Sequence, residues 1–126
     1  YLPLAGGTMT GEISGLVFLN QSVQAITPVG GGTTFNASSG SFASLDVSAS
    51  ITSVTVTIVP NGTTAKLFLT NTGAGTSIGS WADSGGAAIE WVGGTPPTIT
   101  TSGGVDVLTF DFLNGTVYGS IVQNYS

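Results

Sequence analysis

The sequence of 126 residues contains no cysteine and no histidine. Without cysteine it can form neither a disulfide framework nor a thiolate metal site. Without histidine it lacks the most common general base and the most common ligand of transition metals. These two absences remove much of the chemistry used by nucleophilic and metal-dependent enzymes, and we predict that the chain uses no cofactor.

Basic residues are almost as scarce. Lys66 is the single lysine or arginine, against six acidic residues, and the net charge is −5. Proteins that bind nucleic acid neutralise phosphates with Lys and Arg, so the composition argues against a nucleic-acid partner. It argues equally against electrostatic docking to anionic lipid. No apolar run approaches the roughly 18 residues that span a bilayer, so we also predict no membrane insertion.

Charged residues make up only 6% of the chain, while glycine is abundant and the mean hydropathy is +0.43. A positive hydropathy with recurring β-branched alternation argues against disorder. Such a composition is typical of a β-structured chain whose surface is Thr, Ser and Asn. It also fits a chain that covers some of its faces with copies of itself.

The strongest local signal is a pair of β-rich runs, residues 105–113 and 116–122, on either side of Asn114-Gly115. Asn-Gly favours the type I′ turn of a two-residue hairpin, because that turn needs φ > 0 at both central residues. The apolar positions then pair on one face: Phe112 with Val117, Phe110 with Gly119, and Leu108 with Ile121. We predict that the Phe110 ring lies over Gly119, which has no side chain.

A second Asn-Gly, Asn61-Gly62, stands between the alternating runs 54–58 and 65–69. It predicts a second antiparallel hairpin. Pro60 lies beside the turn, where its missing N–H is expected to do little harm. The predicted pairs are Ile58 with Ala65, Val56 with Leu67, and Val54 with Leu69. Residues 44–69 are thus expected to form a meander of two or three strands.

Seven to nine short strands with recurring turn signals predict an all-β fold, a small antiparallel sandwich or jelly-roll-like domain. Gly and Pro punctuate the chain at residues 28–33. We therefore place the β domain at 33–126 and an extended, oligomerising N-terminal segment at 1–32. Residues 71–86 are expected to form a long polar loop that carries Ile78 and Trp81.

The acidic residues are dispersed along the chain: Glu12, Asp46, Asp83, Glu90, Asp106 and Asp111. A glycosidase needs two carboxylates roughly 5–10 Å apart, yet Asp106 and Asp111 differ in parity and point to opposite faces of a regular strand. Calcium stays open as an alternative, since carboxylates and loop carbonyls suit it, although no Asp-x-Asp run is present. We predict that the chain is not an enzyme and that its acids cap loops and discourage edge pairing.

Three aromatic residues are candidates for stacking on the sugar rings of a glycan: Trp81, Tyr118 and Tyr125. Their apolar bodies and polar edges suit such contacts. Tyr118 is predicted on the face opposite the core, and Tyr125 in the tail. The alternative is that Trp81 pins its loop, just as Trp91 and the phenylalanines are expected to form the core.

The first eleven residues read Tyr1-Leu-Pro-Leu-Ala-Gly-Gly-Thr-Met-Thr-Gly11. This segment closely resembles one found in bacteriophage tail fibres and related virion fibre proteins, where it stands at the entry to, or between, trimeric modules. A looser pattern resembles the C-terminal segments of many phage virion proteins, and it consists of Trp91, Gly93, Gly94, Pro97, Asp106, Leu108, Phe110, Tyr118 and Gly119. In many relatives a charged stretch precedes the first motif, so we expect further sequence upstream of Tyr1.

The resemblance implies a non-enzymatic structural component of a phage virion, assembled in the host cytoplasm with other virion proteins. It implies a homotrimeric fibre whose β domain contacts the host surface. Two alternatives stay open. One is a capsid decoration or head-fibre protein docked by its N-terminal arm. The other is a lectin-like module that binds a host surface glycan.

The N-terminal segment also carries apolar runs that suit association between copies. Burying a Leu or Phe side chain contributes about 1.5–3 kcal/mol, so several such residues per copy can outweigh the entropy lost on assembly. We predict a trimer that loosens when residues 1–32 are removed. The residues expected to hold it are Leu2, Leu4, Leu16, Val17, Phe18 and Leu19.

Overall fold

The computed structural model describes residues 23–101 and 103–126, and their regular structure is almost all β-strand. This confirms the predicted all-β class. The helical pieces in these ranges are two three-residue 3-10 turns, Ala37–Ser39 and Val92–Gly94. The strands are β1 (Gln24–Ile26), β2 (Thr33–Phe35), β3 (Phe42–Asp46), β4 (Ile51–Val56), β5 (Thr64–Thr70), β6 (Ile78–Asp83), β7 (Glu90–Trp91), β8 (Val105–Leu113) and β9 (Thr116–Tyr125).

The first six strands alternate between two sheets. Strands β1, β3 and β5 lie side by side in a six-stranded sheet, β2, β4 and β6 form a three-stranded sheet, and all these neighbours are parallel. Gln24 lies beside Ala43, 19 positions later, and Ala43 lies beside Leu67, 24 positions later. The chain therefore winds through both sheets in successive coils, as a β-solenoid does. The predicted antiparallel sandwich or jelly-roll arrangement is wrong.

The C-terminal hairpin closes the six-stranded sheet, whose order is β1-β3-β5-β8-β9-β7. β8 and β9 are antiparallel, and Phe110 pairs with Gly119, Phe112 with Val117 and Leu108 with Ile121. Asn114 has φ 52° and Gly115 φ 77°, as a type I′ turn requires. The predicted turn and register are confirmed.

The hairpin predicted at Asn61-Gly62 is wrong. Among the described strands, β4 pairs with β2 and β6, while β5 pairs parallel with β3 and antiparallel with β8, so the turn carries the chain from one sheet to the other. The closing pair of a two-residue hairpin exchanges two hydrogen bonds. Pro60 stands in that pair and has no N–H to donate; only Thr63 N donates to Pro60 O, at 3.3 Å. The meander predicted for residues 44–69 depends on this hairpin and is therefore also wrong.

The core lies between the two sheets and is centred on Phe110. This ring lies 6.1 Å from Phe35 of the three-stranded sheet, 6.1 Å from Trp81 and 5.9 Å from Trp91, measured between ring centroids.

Trp81 belongs to β6, so residues 78–83 are a strand rather than part of the predicted polar loop. On β6, Ile78 and Trp81 both pack on the core although they differ in parity, Gly79 is exposed, and the buried Asp83 is polar. Such a mixture hides the alternation that identifies a strand.

Gly119 faces the ring of Trp91. A Cβ at this position would lie 2.6 Å from Trp91 Cζ3 and 2.7 Å from Trp91 Cε3. Trp91 of β7 pairs directly with Gly119. The ring nearest to Gly119 on its side-chain side is therefore that of Trp91, while the backbone register of Phe110 opposite Gly119 is as predicted.

Several predictions concern residues outside the described ranges, namely the first eleven residues, Glu12 and the association residues Leu2, Leu4, Leu16, Val17, Phe18 and Leu19. Residues 24–26, placed by sequence in the N-terminal segment, form β1 and pair with β3. The predicted boundary at 32/33 thus falls between two strands of the same winding. Within the described ranges, no helix has the length and hydropathy needed to cross a bilayer.

Candidate functional site

The surface that stands out is the outer face of the six-stranded sheet, the side turned away from the three-stranded sheet. On β8, the side chains of Val105, Val107, Thr109 and Asp111 alternate with the buried Asp106, Leu108 and Phe110 and therefore point outward. Their neighbours on β5 and β9 continue the same face in rows: Thr70-Val105-Tyr125, Phe68-Val107-Val122, Lys66-Thr109-Ser120 and Thr64-Asp111-Tyr118.

One half of this outer face is apolar. Lys66, Phe68, Val105, Val107 and Tyr125 line a groove of about 550 Å³, called here the apolar groove. Val122 stands beside it with 57% of its surface exposed. Phe42 of β3 stacks on Phe68, with ring centroids 6.5 Å apart and planes inclined by 23°. Apolar side chains thus run across β3, β5, β8 and β9.

A β-bulge places Tyr125 at the groove. Val107 pairs with Val122 but Val105 pairs with Tyr125, so β9 gains one residue relative to β8, and Asn124 takes φ 61°. The buried carboxylate of Asp106 fixes this bulge. It accepts hydrogen bonds from Asn124 N at 3.0 Å, Thr100 N at 2.6 Å and Thr100 Oγ1 at 2.7 Å. Without the bulge, strand alternation would turn Tyr125 to the other face.

The other half of the outer face is polar and acidic. Asp111 Oδ1 accepts a hydrogen bond from Thr64 Oγ1 at 2.6 Å, and Tyr118 lies between Asp111 and Glu90 of the neighbouring strands. Lys66 lies between the two halves, and its Nζ donates to Thr109 Oγ1 at 3.3 Å. The single cation of the chain therefore stands at the border between apolar and acidic surface.

The three predicted glycan-contact residues fare differently. Trp81 is only 5% exposed, and its indole N–H has no hydrogen-bond partner in the described part of the chain. It is a core residue, so its prediction as a glycan contact is wrong. Tyr118 and Tyr125 are 46% and 56% exposed and share the outer face. They stand at opposite ends of β9, roughly 20 Å apart at about 3.4 Å per residue, so they do not form one site.

Sequence reasoning missed the apolar half of the outer face. Leu67-Phe68-Leu69 and Val107-Leu108 are apolar at both parities. Adjacent apolar residues in a strand indicate a sheet that is covered on both faces. Alternation identifies the inner face of a strand, but it does not say what the second set of apolar residues contacts.

Two of the described acids, Asp83 and Asp106, hold loops through their carboxylates. Asp106 and Asp111 lie on opposite faces of β8, as predicted, with Asp106 buried and Asp111 exposed. Asp83 Oδ1 accepts from Gly85 N at 2.8 Å and Ala87 N at 2.9 Å and so closes the loop after β6. Within residues 23–101 and 103–126 no three acidic, His or Cys side chains gather where they could hold a metal ion.

A second concavity of about 330 Å³ lies between β9 and residues 91–97. Trp91 lines it but is only 8% exposed. A buried ring cannot stack on a sugar, which makes this cleft a weaker candidate than the outer face.

No protein-family model matches the chain, and neither a curated protein nor a solved structure matches it. The outer face must therefore be interpreted from its own chemistry.

Proposed function

We propose that the chain is a non-enzymatic structural component of a phage virion, a fibre protein built from associated copies. The main support is the gapless eleven-residue resemblance at Tyr1–Gly11 to segments of virion fibre proteins. The winding of the described residues suits this role, because coils that contact only their neighbours extend along one direction. A homotrimer is the assembly that the resemblance favours.

Composition supports a structural role over a catalytic one. The chain has no His or Cys to act as base or nucleophile. The carboxylates of Asp83 and Asp106 are buried and accept hydrogen bonds from backbone N–H groups. Carboxylates held in this way fix the loops around them.

The decisive experiment is to locate the chain on purified particles of the phage that encodes it. We expect mass spectrometry to detect the chain in the particles, and labelling of a tagged chain to mark a fibrous appendage in electron micrographs. A label on the tail supports a tail fibre, whereas one on the shell supports the capsid decoration or head-fibre alternative. Absence of the chain from intact particles would overturn the proposal.

The lectin-like alternative has one observation in its favour, the exposed rings of Tyr118 and Tyr125. It predicts that the purified chain binds host surface polysaccharide and that Tyr118→Ala or Tyr125→Ala removes binding. Leu113→Ala is the matched control, since Leu113 is an exposed residue on the same hairpin. Equal binding by all four proteins would exclude these rings as the sugar site.

A further inference from the structure

The two outer faces of the molecule differ in chemistry. The three-stranded sheet presents small hydroxyl side chains outward, including Thr34, Ser53, Thr55 and Ser80. The six-stranded sheet presents Phe68, Val105, Val107, Val122 and Tyr125. Polar outward side chains of this kind are typical of a sheet face that is exposed to solvent. The apolar half of the other outer face therefore needs its own explanation.

We propose that the apolar half of the outer face is an interface between copies of this chain, centred on the apolar groove. The proposal rests on the proposed function in one respect, because a fibre supplies the copies. It assigns association to residues of β5, β8 and β9, far along the chain from the N-terminal runs. The groove is the centre of the contact, and the hydroxyl and acidic residues form its rim.

Size supports a protein partner. Six strands at about 4.8 Å spacing by the length of β8 at about 3.4 Å per residue give an outer face of at most roughly 700 Å². A standard interface buries about 800 Å² on each partner. A contact of that size would take up the whole face, apolar half and rim together, and leave none of it for a separate ligand site.

Charge supports a second copy as that partner. No acidic residue lines the apolar groove, so two copies of net charge −5 can meet there without opposing carboxylates at the centre. Lys66 lies at the border of the groove. On the same face, Asp46 of β3 lies beside Thr70 in the row of Val105, and Asp111 of β8 and Glu90 of β7 lie in the acidic half. A face with a cation between acids offers opposite charges to a copy of itself.

Other partners fit less well. Sugars need several convergent polar groups, whereas four of the five groove residues offer mainly carbon atoms. Anionic lipid and nucleic acid need more cations than one lysine. A second copy supplies an apolar surface that matches the groove, and it supplies carboxylates that can pair with Lys66.

The test uses the full chain and two pairs of variants. Val122→Asp and Val107→Asp place a carboxylate in or beside the groove, and Thr55→Asp places one on the hydroxyl face as a matched control. Sedimentation velocity and native mass spectrometry over a concentration series measure the dissociation constant. Far-ultraviolet circular dichroism confirms that each variant is folded. Lys66→Glu tests the charge argument in the same way, with Lys66→Gln as its milder partner.

We expect the wild-type chain to associate, and each valine variant to raise its dissociation constant by roughly tenfold or more while Thr55→Asp leaves it unchanged. Lys66→Glu should weaken association more than Lys66→Gln. A monomeric wild-type chain, valine variants that associate normally, or an equal effect of Thr55→Asp would overturn the proposal. A monomer that binds host polysaccharide through this face would overturn it as well.

Failure of this proposal can be told apart from failure of the proposed function. A chain present on the particle whose valine variants still associate refutes the interface and leaves the virion role standing. A chain that associates through the groove but is missing from particles refutes the virion role and leaves the interface standing.

Discussion

The two Asn-Gly turns of this chain have the same central residues and different outcomes. Asn114-Gly115 has positive φ at both positions and joins antiparallel neighbours. At Asn61-Gly62 only the glycine has positive φ, 81°, which is the pattern of a type II turn, and the flanking strands lie in different sheets. The residue that precedes Asn-Gly explains why the two turns differ. Leu113 can donate its N–H to the closing pair and Pro60 cannot.

The two turns also meet in space. Asn61 Oδ1 accepts from Asn114 N at 2.7 Å, and Asn61 Nδ2 donates to Asn114 Oδ1 at 3.2 Å. Beside them, Gly62 N donates to Phe112 O at 2.9 Å. The first turn keeps one of its two closing-pair hydrogen bonds, from Thr63 N to Pro60 O, while Thr63 O accepts from Phe112 N at 3.1 Å in place of the missing Pro60 donor. A turn can therefore be read from its own residues only when its closing pair can form.

The largest effect is expected from Phe110→Ala. Phe110 belongs to the hairpin, yet its ring contacts Phe35 of the three-stranded sheet and so joins the two sheets. Loss of a fully buried Phe costs about 3–5 kcal/mol. Chemical denaturation measures this cost, and hydrogen exchange should show lost protection in β2 and β4 as well as in β8. Leu113→Ala, at an exposed position of the same strand, should change stability by less than about 0.5 kcal/mol. Loss of protection confined to β8 and β9 would contradict the central role of Phe110.

Gly119→Ala tests whether the Trp91 ring packs directly against Gly119 of the hairpin. The new methyl group meets Trp91 and must displace a packed ring, so we expect a cost of about 1–3 kcal/mol in thermal or chemical denaturation. Gly31→Ala is the control, because nothing lies within 4 Å of a Cβ there. Trp91→Leu combined with Gly119→Ala should cost less than the sum of the single changes. Strict additivity would show that Trp91 does not press on Gly119.

Asn61→Ala tests the link between the turns. It removes two exposed hydrogen bonds to Asn114, and we expect a loss of about 1 kcal/mol. Asn61→Asp keeps the acceptor for Asn114 N and loses the donor, so its cost should be smaller. Chemical denaturation of both variants provides the comparison, and an equal cost for the two would exclude the Asn114 N bond as the main contribution.

The smallest effect is expected in isolated peptides, where tertiary contacts are absent. Residues 105–122 should populate the antiparallel register weakly, since lone hairpins are marginal in water. Residues 54–69 should not populate a hairpin, but Pro60→Thr should give them a detectable population by restoring the missing donor. Cross-strand nuclear Overhauser effects between positions 56 and 67 would report it. If the wild-type and Pro60→Thr peptides behave alike, the proline is not what separates the two turns.

The inner residues of most strands could be predicted, but their partners could not. Val54, Val56, Leu67 and Leu69 are all buried as alternation requires. Inward-facing residues look the same whether two strands pair in one sheet or face each other across a core, so alternation alone cannot separate a hairpin from a coil. The strand of Trp81 cannot be recognised from alternation, because Ile78 and Trp81 reach the core at different parities and the buried Asp83 stands where an apolar residue is expected.

Of the candidate site, the sequence identified Tyr118 and Tyr125 as exposed, and both are. It did not identify the groove. Phe68 and Val107 come together only because β5 pairs with β8 across a long stretch of chain. The bulge at Asn124 that brings Tyr125 to them depends on a buried hydrogen bond to Asp106. Neither relation has a local sequence signal.

The winding of the first six strands also bears on the order in which the protein forms. The strand pairs of the coils join residues 19 to 27 positions apart, whereas β8 and β9 meet through a two-residue turn. Local pairs form fastest because they close the shortest loops. We therefore expect the C-terminal hairpin to be the folding nucleus, with β5 adding to β8 and the earlier coils following toward the N-terminus. On the ribosome this nucleus emerges after the coils, so nascent chains that end before residue 105 should remain sensitive to protease, and chains in which residues 105–125 have left the ribosome should become resistant.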